Sequence, residues 1–537
     1  MNETKGSPAD QKKITWLTLA FMAFSTVWGF GNVVNGFGYF NGTQVIFSWI
    51  MMFVLYFVPY ALMVGELGSA FKTAGGGVTS WVLETTNPKL AYYAGYTYWV
   101  VHIPYIASKG SAGLKALAWM CLSNAWYDNL PTVWVQLATG VVFVFFLWVA
   151  SRGLSPLKAL TSIAGTSMFV MSLLFIIMMF AAPMFNPSNA FTQMDWSWDS
   201  LIPQFNVNYF TSLSILVFAV GGCEKISPYV NKVNNPGKDF PKGMIALAIM
   251  VMVCAILGTI AMGMSFSPIT FTFSEAGTFG REAVAAGSTA QVFAIGQQAT
   301  EVAAMAKAGA ISPDALNTLV QSGACYTQNS FIANGQYLAF EELGTYYHCG
   351  DLFVIIYGAC NAIGQFSTLV LSIDAPLRML LDDASARQFV PKGLLKQNKY
   401  GAYINGIYLV GILSGAIIAI QLLGTGAADV ITWLTRLNSV CMPMRYLWVF
   451  FAYIMLRTGK KHFKSDYVFL KNKHAAAFAG WWCFAITAIF CLLGVYQAGD
   501  WTRTLLNIAT PFVLLALGLI MPAIRKRQDA KEAGTAA

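Results

Sequence analysis

In a chain of 537 residues, 56% hydrophobic and 11% charged, the residues able to do chemistry stand out because so few interrupt apolar sequence. Glu224 is the clearest. It follows directly on the apolar run ending FAVGGC. A carboxyl just past a break in a membrane helix is costly to bury and generally faces a pathway, which makes Glu224 the candidate for proton coupling. The plainer alternative is a carboxylate that caps a helix or pairs with Lys225. Arg445, in CMPMRYLWVFF, precedes Arg457 by twelve residues and so lies deep in its span by helical rise. It suits a substrate carboxylate or a counter-charge to Glu224, and a structural ion pair is its simplest use. His102 and Lys109, in VVHIPYIASKG, are seven residues apart and share one helix face, on a proton or substrate path or against backbone carbonyls.

Two stretches carry chemistry in the backbone instead. VWGFGN sets Trp28, Gly29, Phe30, Gly31 and Asn32 inside an apolar run that begins at Ile14, and FAVGGCEKISP sets Gly221, Gly222 and Cys223 inside another that closes at Pro228. Glycine weakens a helix interior by about 1 kcal/mol relative to alanine. Backbone groups left unpaired in hydrocarbon cost several kcal/mol each, so an unwound segment there must line a cavity or meet a ligand. The half-helix starting after Gly31 would offer free amides to a carboxylate, and the one ending near Trp28 free carbonyls to an ammonium. Two such breaks suit a zwitterionic amino acid or an amine. Glycines also serve close packing of membrane helices, and Trp28 suits packing beside the cavity as well as contact with a substrate. A dinucleotide-binding GxGxxG is excluded, because position 34 is Val and no soluble strand precedes it.

The four histidines (His102, His348, His462, His474) are scattered, HExxH and GxSxG are absent, and no P-loop occurs. The chain is therefore expected to be no enzyme, to hold no metal or cofactor, and to draw no energy from ATP. Of the nine cysteines, Cys325 and Cys349 share an external loop and are open to two fates, a disulfide or two separate thiols.

The elements that must position these groups follow from hydropathy. Apolar runs long enough to cross a hydrocarbon core of roughly 30 Å number about twelve: 14–40, 44–70, 90–121, 131–150, 156–184, 207–230, 243–266, 351–376, 401–424, 427–456, 475–497 and 501–523. The fold class is all-α and polytopic. Lysine and arginine concentrate in alternate loops and at both ends, while the opposite loops hold only Arg281, Lys307 and Arg503, which places both termini in the cytoplasm. The chain divides into an N-terminal tail (1–13), six helices (14–230), a cytoplasmic loop with helix seven (231–266), a long external loop (267–350), helices eight to ten (351–456), a loop with helices eleven and twelve (457–523) and a C-terminal tail (524–537). The basic loops account for a net charge of +9, and no basic stripe interleaved with aromatics suggests nucleic acid. No small-residue cleavage site follows the first run, so no signal peptide is expected. The external loop, with its AVAAGSTAQVFAIGQQATEVAAMAKAGA, is expected to lay one or two amphipathic helices over the outer face, as an insertion more than a binding domain. Broken helices in spans one and six suggest two inverted repeats of five helices, with spans eleven and twelve added.

VWGFGN in the first span, GELGSAFKTAGGG closing the second, FAVGGCE in the sixth, NNPGKDFPKG after it and DDASARQFVPKGL after the eighth resemble the amino acid-polyamine-organocation permease superfamily. The closest likeness is to its bacterial glutamate/GABA antiporter-like branch and amino acid/amine exchangers. The resemblance implies a LeuT-like fold of twelve helices with alternating access. By motif it puts the substrate's carboxylate end at Gly29, Phe30, Gly31 and Asn32, an aromatic gate at Phe218, the second break at Gly221, Gly222 and Cys223, and a proton-sensing carboxyl at Glu224. Glu66 matches an acidic family position and is expected to serve loop packing. Some relatives carry a lysine in the fifth span, but SIAGTSMFVMSLL has none, which counts against coupling of that kind. The expected function is exchange of an amino acid for a related amino acid or its decarboxylated amine across the bacterial cytoplasmic membrane. Its expected partners are that substrate, protons and the lipid bilayer. Proton symport is the alternative, and a non-transporting sensor is disfavoured by the short tails.

Overall fold

The computed structural model describes residues 13–185, 191, 192, 194, 196–280, 282–296, 298–383, 386–423, 441–496 and 501–535. The N-terminal tail through Lys12, Arg281, two residues of the motif after span eight, the first half of the expected tenth span and the last two residues lie outside them. The helices that matter here are α1 (Trp16–Val27), α2 (Gly31–Tyr39), α3 (Gly42–Ala70), α4 (Pro88–Val100), α5 (His102–Leu122), α6 (Thr132–Ala150), α7 (Leu154–Phe185), α8 (Val207–Val220) and α9 (Pro236–Ser265). After the external segment come α13 (Leu352–Leu381), α14 (Ile404–Ile420), α15 (Leu447–Thr458), α16 (Lys473–Val495) and α17 (Trp501–Leu517). Within that segment lie α10 (Gln298–Ala308), α11 (Pro313–Gln321) and α12 (Gln328–Tyr346).

Helices dominate because hydrocarbon offers no partner for backbone N–H and C=O groups, so each span must satisfy its own. Among the described residues eight helices are long and apolar enough to cross a bilayer, or nine when α1 and α2, bent by 42° at the first glycine break, are taken as one span. The chain is a multi-pass membrane protein. Of the twelve expected spans, the third appears as the consecutive helices α4 and α5, more polar than the rest, and the ninth as the 17-residue α14. Helices at the periphery turn apolar side chains outward, as α6 does with Val141, Val144 and Trp148, all more than half exposed. That suits a lipid solvent.

The first span lies at the centre, with α1 packed on α7 and α9. Thr15 caps α1, its hydroxyl accepting from the Thr18 amide at 3.2 Å. Gly165 of α7 lets the two backbones touch, since a Cβ there would stand 1.9 Å from the Phe21 carbonyl oxygen. This is the small-residue packing that membrane helices use where no hydrophobic effect drives them together.

The segment between α9 and α13 departs from expectation in two ways. Its sequence AVAAGSTAQVFAIG does not form a helix: a strand β1 (Phe266–Thr272) pairs antiparallel with β4 (Thr289–Ile295), which in turn pairs with β5 (Cys325–Thr327), while β2 (Gly277–Phe279) and β3 (Glu282–Val284) make a separate hairpin. TAQVFAI is short, carries three β-branched residues and an aromatic one, and pairs with FSPITFT. Tertiary pairing outweighs the alanine-rich composition that suggested helix. α10 and α11 do lie on this sheet, sealing a small outer core of Ile269, Phe271, Val292, Val302 and Leu316. Secondly, α12 does not lie over the face. It reaches into the protein against α2, where a Cβ on Gly38 would meet Ile332 at 2.8 Å and one on Gly335 would meet Val34 at 2.8 Å.

The disulfide considered between Cys325 and Cys349 is not formed. Cys325 is fully buried in the outer core, and Cys349 packs against the transmembrane core with its thiol directed to the Gly344 carbonyl oxygen at 3.8 Å.

Candidate functional site

Both glycine-rich stretches are breaks. After α1 the chain leaves helical geometry at Trp28 (φ −125°, ψ 137°) and resumes at Gly31, with Phe30 in the capping position and no side chain capping the new helix. Among the described residues, no backbone acceptor is found for the amides of Gly29, Phe30 and Gly31. The second break follows α8 at Gly221 and Gly222, after which Cys223–Lys232 forms a 3-10 helix. Gly222 has φ +107°, a conformation open to glycine at little cost. Gly221 serves a different purpose, since a Cβ there would lie 2.2 Å from the Tyr446 ring. Asn32 ties the breaks together, its Nδ2 donating to Val27 O and to Ala219 O, both at 3.3 Å.

Between the breaks lies a cavity of about 310 Å³. Trp28, Gly29, Gly31, Asn32, Phe218 and Gly221 line it, together with Lys109 and Arg445. Among the described residues the Trp28 indole N–H is buried without an acceptor, an orphan donor at the wall of a cavity. Phe30 and Cys223, expected at the site, are elsewhere. Phe30 is fully buried in an aromatic cluster with Phe175, Phe340 and Tyr357 at centroid distances of 4.8, 5.4 and 6.1 Å. Cys223 is fully buried behind the second break, and Gly222 shapes the chain there without lining the cavity.

Glu224 is also behind the wall. It is fully buried, accepts a hydrogen bond from Tyr60 and stands 3.7 Å from Arg445 Nε, close enough for an ion pair and too far for a hydrogen bond. Of the uses considered for Arg445, countering Glu224 is the one the geometry shows. Its Nη1 also lies 2.8 Å from His102 Nε2. Since arginine only donates, Nε2 accepts, and Nδ1–H donates to Tyr98 O at 2.5 Å. The guanidinium is flanked by the Tyr98 and Tyr446 rings, 5.1 and 5.2 Å from their centroids. His102 thus belongs to this network, while Lys109, seven residues on, faces the cavity.

Several wall residues carried no sequence signal or were passed over. Lys225, which the sequence offers as a partner for Glu224, lines the cavity at 3% exposure and its Nζ donates to Ser372 Oγ at 2.6 Å. Asn361 and Gln365, one helical turn apart in apolar α13, were a legible signal: Lys109 Nζ donates to Gln365 Oε1 at 3.0 Å, and Gln365 Nε2 to Asn361 Oδ1 at 3.1 Å. Gln336 was not legible, because it enters on α12 from the long segment between α9 and α13. There its Oε1 accepts from Tyr357 at 2.9 Å and stands over Gly31. The wall therefore holds three cationic side chains, Lys109, Lys225 and Arg445, five side-chain amides and, among the described residues, no carboxylate. Glu66, at the inner end of α3, is bound to Arg457 Nη1 at 3.0 Å and to the Phe469 amide at 2.8 Å, in a loop contact.

A sequence profile of the family described as amino acid permease matches residues 14–521. The chain is 44% identical over 533 residues, 97% of each protein, to the aspartate/glutamate permease AcaP of Lactococcus lactis subsp. cremoris. It is 22% identical over 540 residues, covering 95% of this chain and 96% of the relative, to the inner membrane transporter YjeM of Escherichia coli. Over 244 residues, 42% of this chain and 46% of the relative, it is 25% identical to a probable agmatine/putrescine antiporter, AguD, of Lactococcus lactis subsp. lactis.

Proposed function

Because the chain belongs to the amino acid permease family, a family of transporters rather than enzymes, we propose that it moves acidic amino acids across the bacterial cytoplasmic membrane by exchange. The observation that carries the substrate class is the cavity wall, with three cations and no carboxylate. A cation held out of water is stabilised when an anion joins it, and a substrate with two carboxylates and one ammonium brings a net negative charge. The name of the relative AcaP supports the same class. The free amides of Gly29, Phe30 and Gly31 suit the α-carboxylate at a helix N-terminus, and the carbonyls at the end of α1 suit the ammonium.

Exchange is supported by the same charges. An empty carrier would have to turn with Lys109 and Lys225 unneutralised in low dielectric, whereas a loaded one turns with them paired. The decarboxylated product of an acidic amino acid keeps one carboxylate and remains compatible with this wall. A dicationic polyamine does not. The pairing of Glu224 with Arg445 and Tyr60 supports a structural role for that carboxyl. The alternation of lysine and arginine between loops supports termini on the cytoplasmic side, and the two breaks support inverted repeats of five helices.

Uptake of labelled aspartate, glutamate, asparagine, lysine and agmatine into glutamate-loaded proteoliposomes tests the substrate class. Aspartate and glutamate are expected to lead. Preference for lysine or agmatine would remove the basis of the proposal.

A further inference from the structure

We propose that Lys109 and Lys225 form the subsite for the substrate's distal carboxylate, and that this pair, not Arg445, sets the preference for acidic over neutral amino acids. The inference rests on the acidic-substrate proposal above and goes beyond it by dividing the cavity between the two carboxylates.

The two ammonium groups converge on one ring: Lys109 Nζ lies 4.8 Å and Lys225 Nζ 5.4 Å from the centroid of Tyr105. They arrive from different elements, Lys109 from α5 and Lys225 from the 3-10 helix after the second break. Neither has a carboxylate within ion-pair distance among the described residues. Each spends one N–H on a neutral oxygen, Gln365 Oε1 for Lys109 and Ser372 Oγ for Lys225. An ammonium has three N–H groups, so donors remain on both.

Both lysines are held in place. Gln365 is fixed through Asn361, whose Nδ2 donates to Tyr337 at 2.9 Å. Ser372 Oγ donates to Thr368 O at 2.6 Å, and Thr368 Oγ1 donates to Ser25 O at 3.0 Å, which links the Lys225 anchor to the end of α1. Arg445, by contrast, is already occupied by Glu224, His102 and two tyrosine rings. A carboxylate between the lysines would complete two charge-assisted hydrogen bonds that a carboxamide cannot match, since its NH2 would face cations.

The test is equilibrium binding of labelled aspartate and asparagine to purified full-length protein, comparing wild type with Lys225→Met and Lys109→Gln. Losing one hydrogen bond between charged groups is expected to cost aspartate on the order of ten- to a hundredfold in affinity. Asparagine affinity should hold or rise, so the aspartate-to-asparagine ratio falls at least about tenfold in each variant. Lys109 is only partly buried, so its variant tests the subsite even if Lys225→Met proves unstable. A ratio unchanged in Lys109→Gln, or equal loss of both ligands, overturns the subsite while leaving acidic transport standing. A wild type that does not bind aspartate overturns both.

Discussion

At Glu224 three requirements meet: the carboxylate is fully buried, it accepts from Tyr60, and Arg445 stands 3.7 Å away. A buried pair of this kind is sensitive to losing one member, because the other is left as an uncompensated charge, at a cost of about 3–5 kcal/mol. Glu224→Gln or Arg445→Met is therefore expected to lower the thermal stability of the purified protein strongly, and the double variant to lose less than the two singles together. Additive losses in a melting experiment would show that the two side chains act independently. The sequence made both residues conspicuous, because charge in an apolar run is rare. It could not show that they face each other, since Glu224 and Arg445 are 221 residues apart. For the same reason Lys225 was legible as a charge and not as a wall residue. Which side of a short 3-10 helix faces a cavity is decided by the turn at Gly222, not by helical periodicity.

At the scale of the element, the two glycine breaks were legible because glycine pairs inside apolar runs contradict helix propensity. What each glycine does was not. Gly222 carries a left-handed backbone, so Gly222→Ala is expected to cost about 1–3 kcal/mol through strain alone. Gly221→Ala must instead displace the Tyr446 ring and should be partly rescued by Tyr446→Ala. Failure of that rescue, measured as binding or melting temperature, would mean that the ring is not the obstacle. α12 was the element least visible beforehand, since its burial comes from packing against α2. Toward its C-terminal end, burial and the neighbouring Glu341 raise the Glu342 carboxyl from 4.5 to about 7. The folded state then holds that proton longer than the unfolded chain, so this group's contribution to stability falls as pH rises from about 4.5 through about 7. Glu342→Gln should flatten the stability profile over that window, and an undiminished slope would place the cause elsewhere.

For the whole molecule, composition alone separated a polytopic membrane protein from any soluble class, and the loop charges predict an orientation with both termini in the cytoplasm. Cysteines introduced at Ser274 in the external segment and at Lys531 near the C-terminus should be labelled by an impermeant thiol reagent on intact cells only at Ser274. Labelling at Lys531 would invert the topology. The sheet β1-β4-β5 was not legible, because β4 lies in an alanine-rich stretch that suggested helix and its partners β1 and β5 are separated from it by intervening segments. The central claim concerns the cavity as a whole: cations without acids at its wall, so that the carrier turns when loaded with an acidic amino acid. Counterflow tests it most directly, with labelled aspartate outside proteoliposomes that are empty or filled with unlabelled aspartate, at equal pH on both sides. The account predicts rapid uptake into filled vesicles and little into empty ones. Equal uptake into both would contradict it.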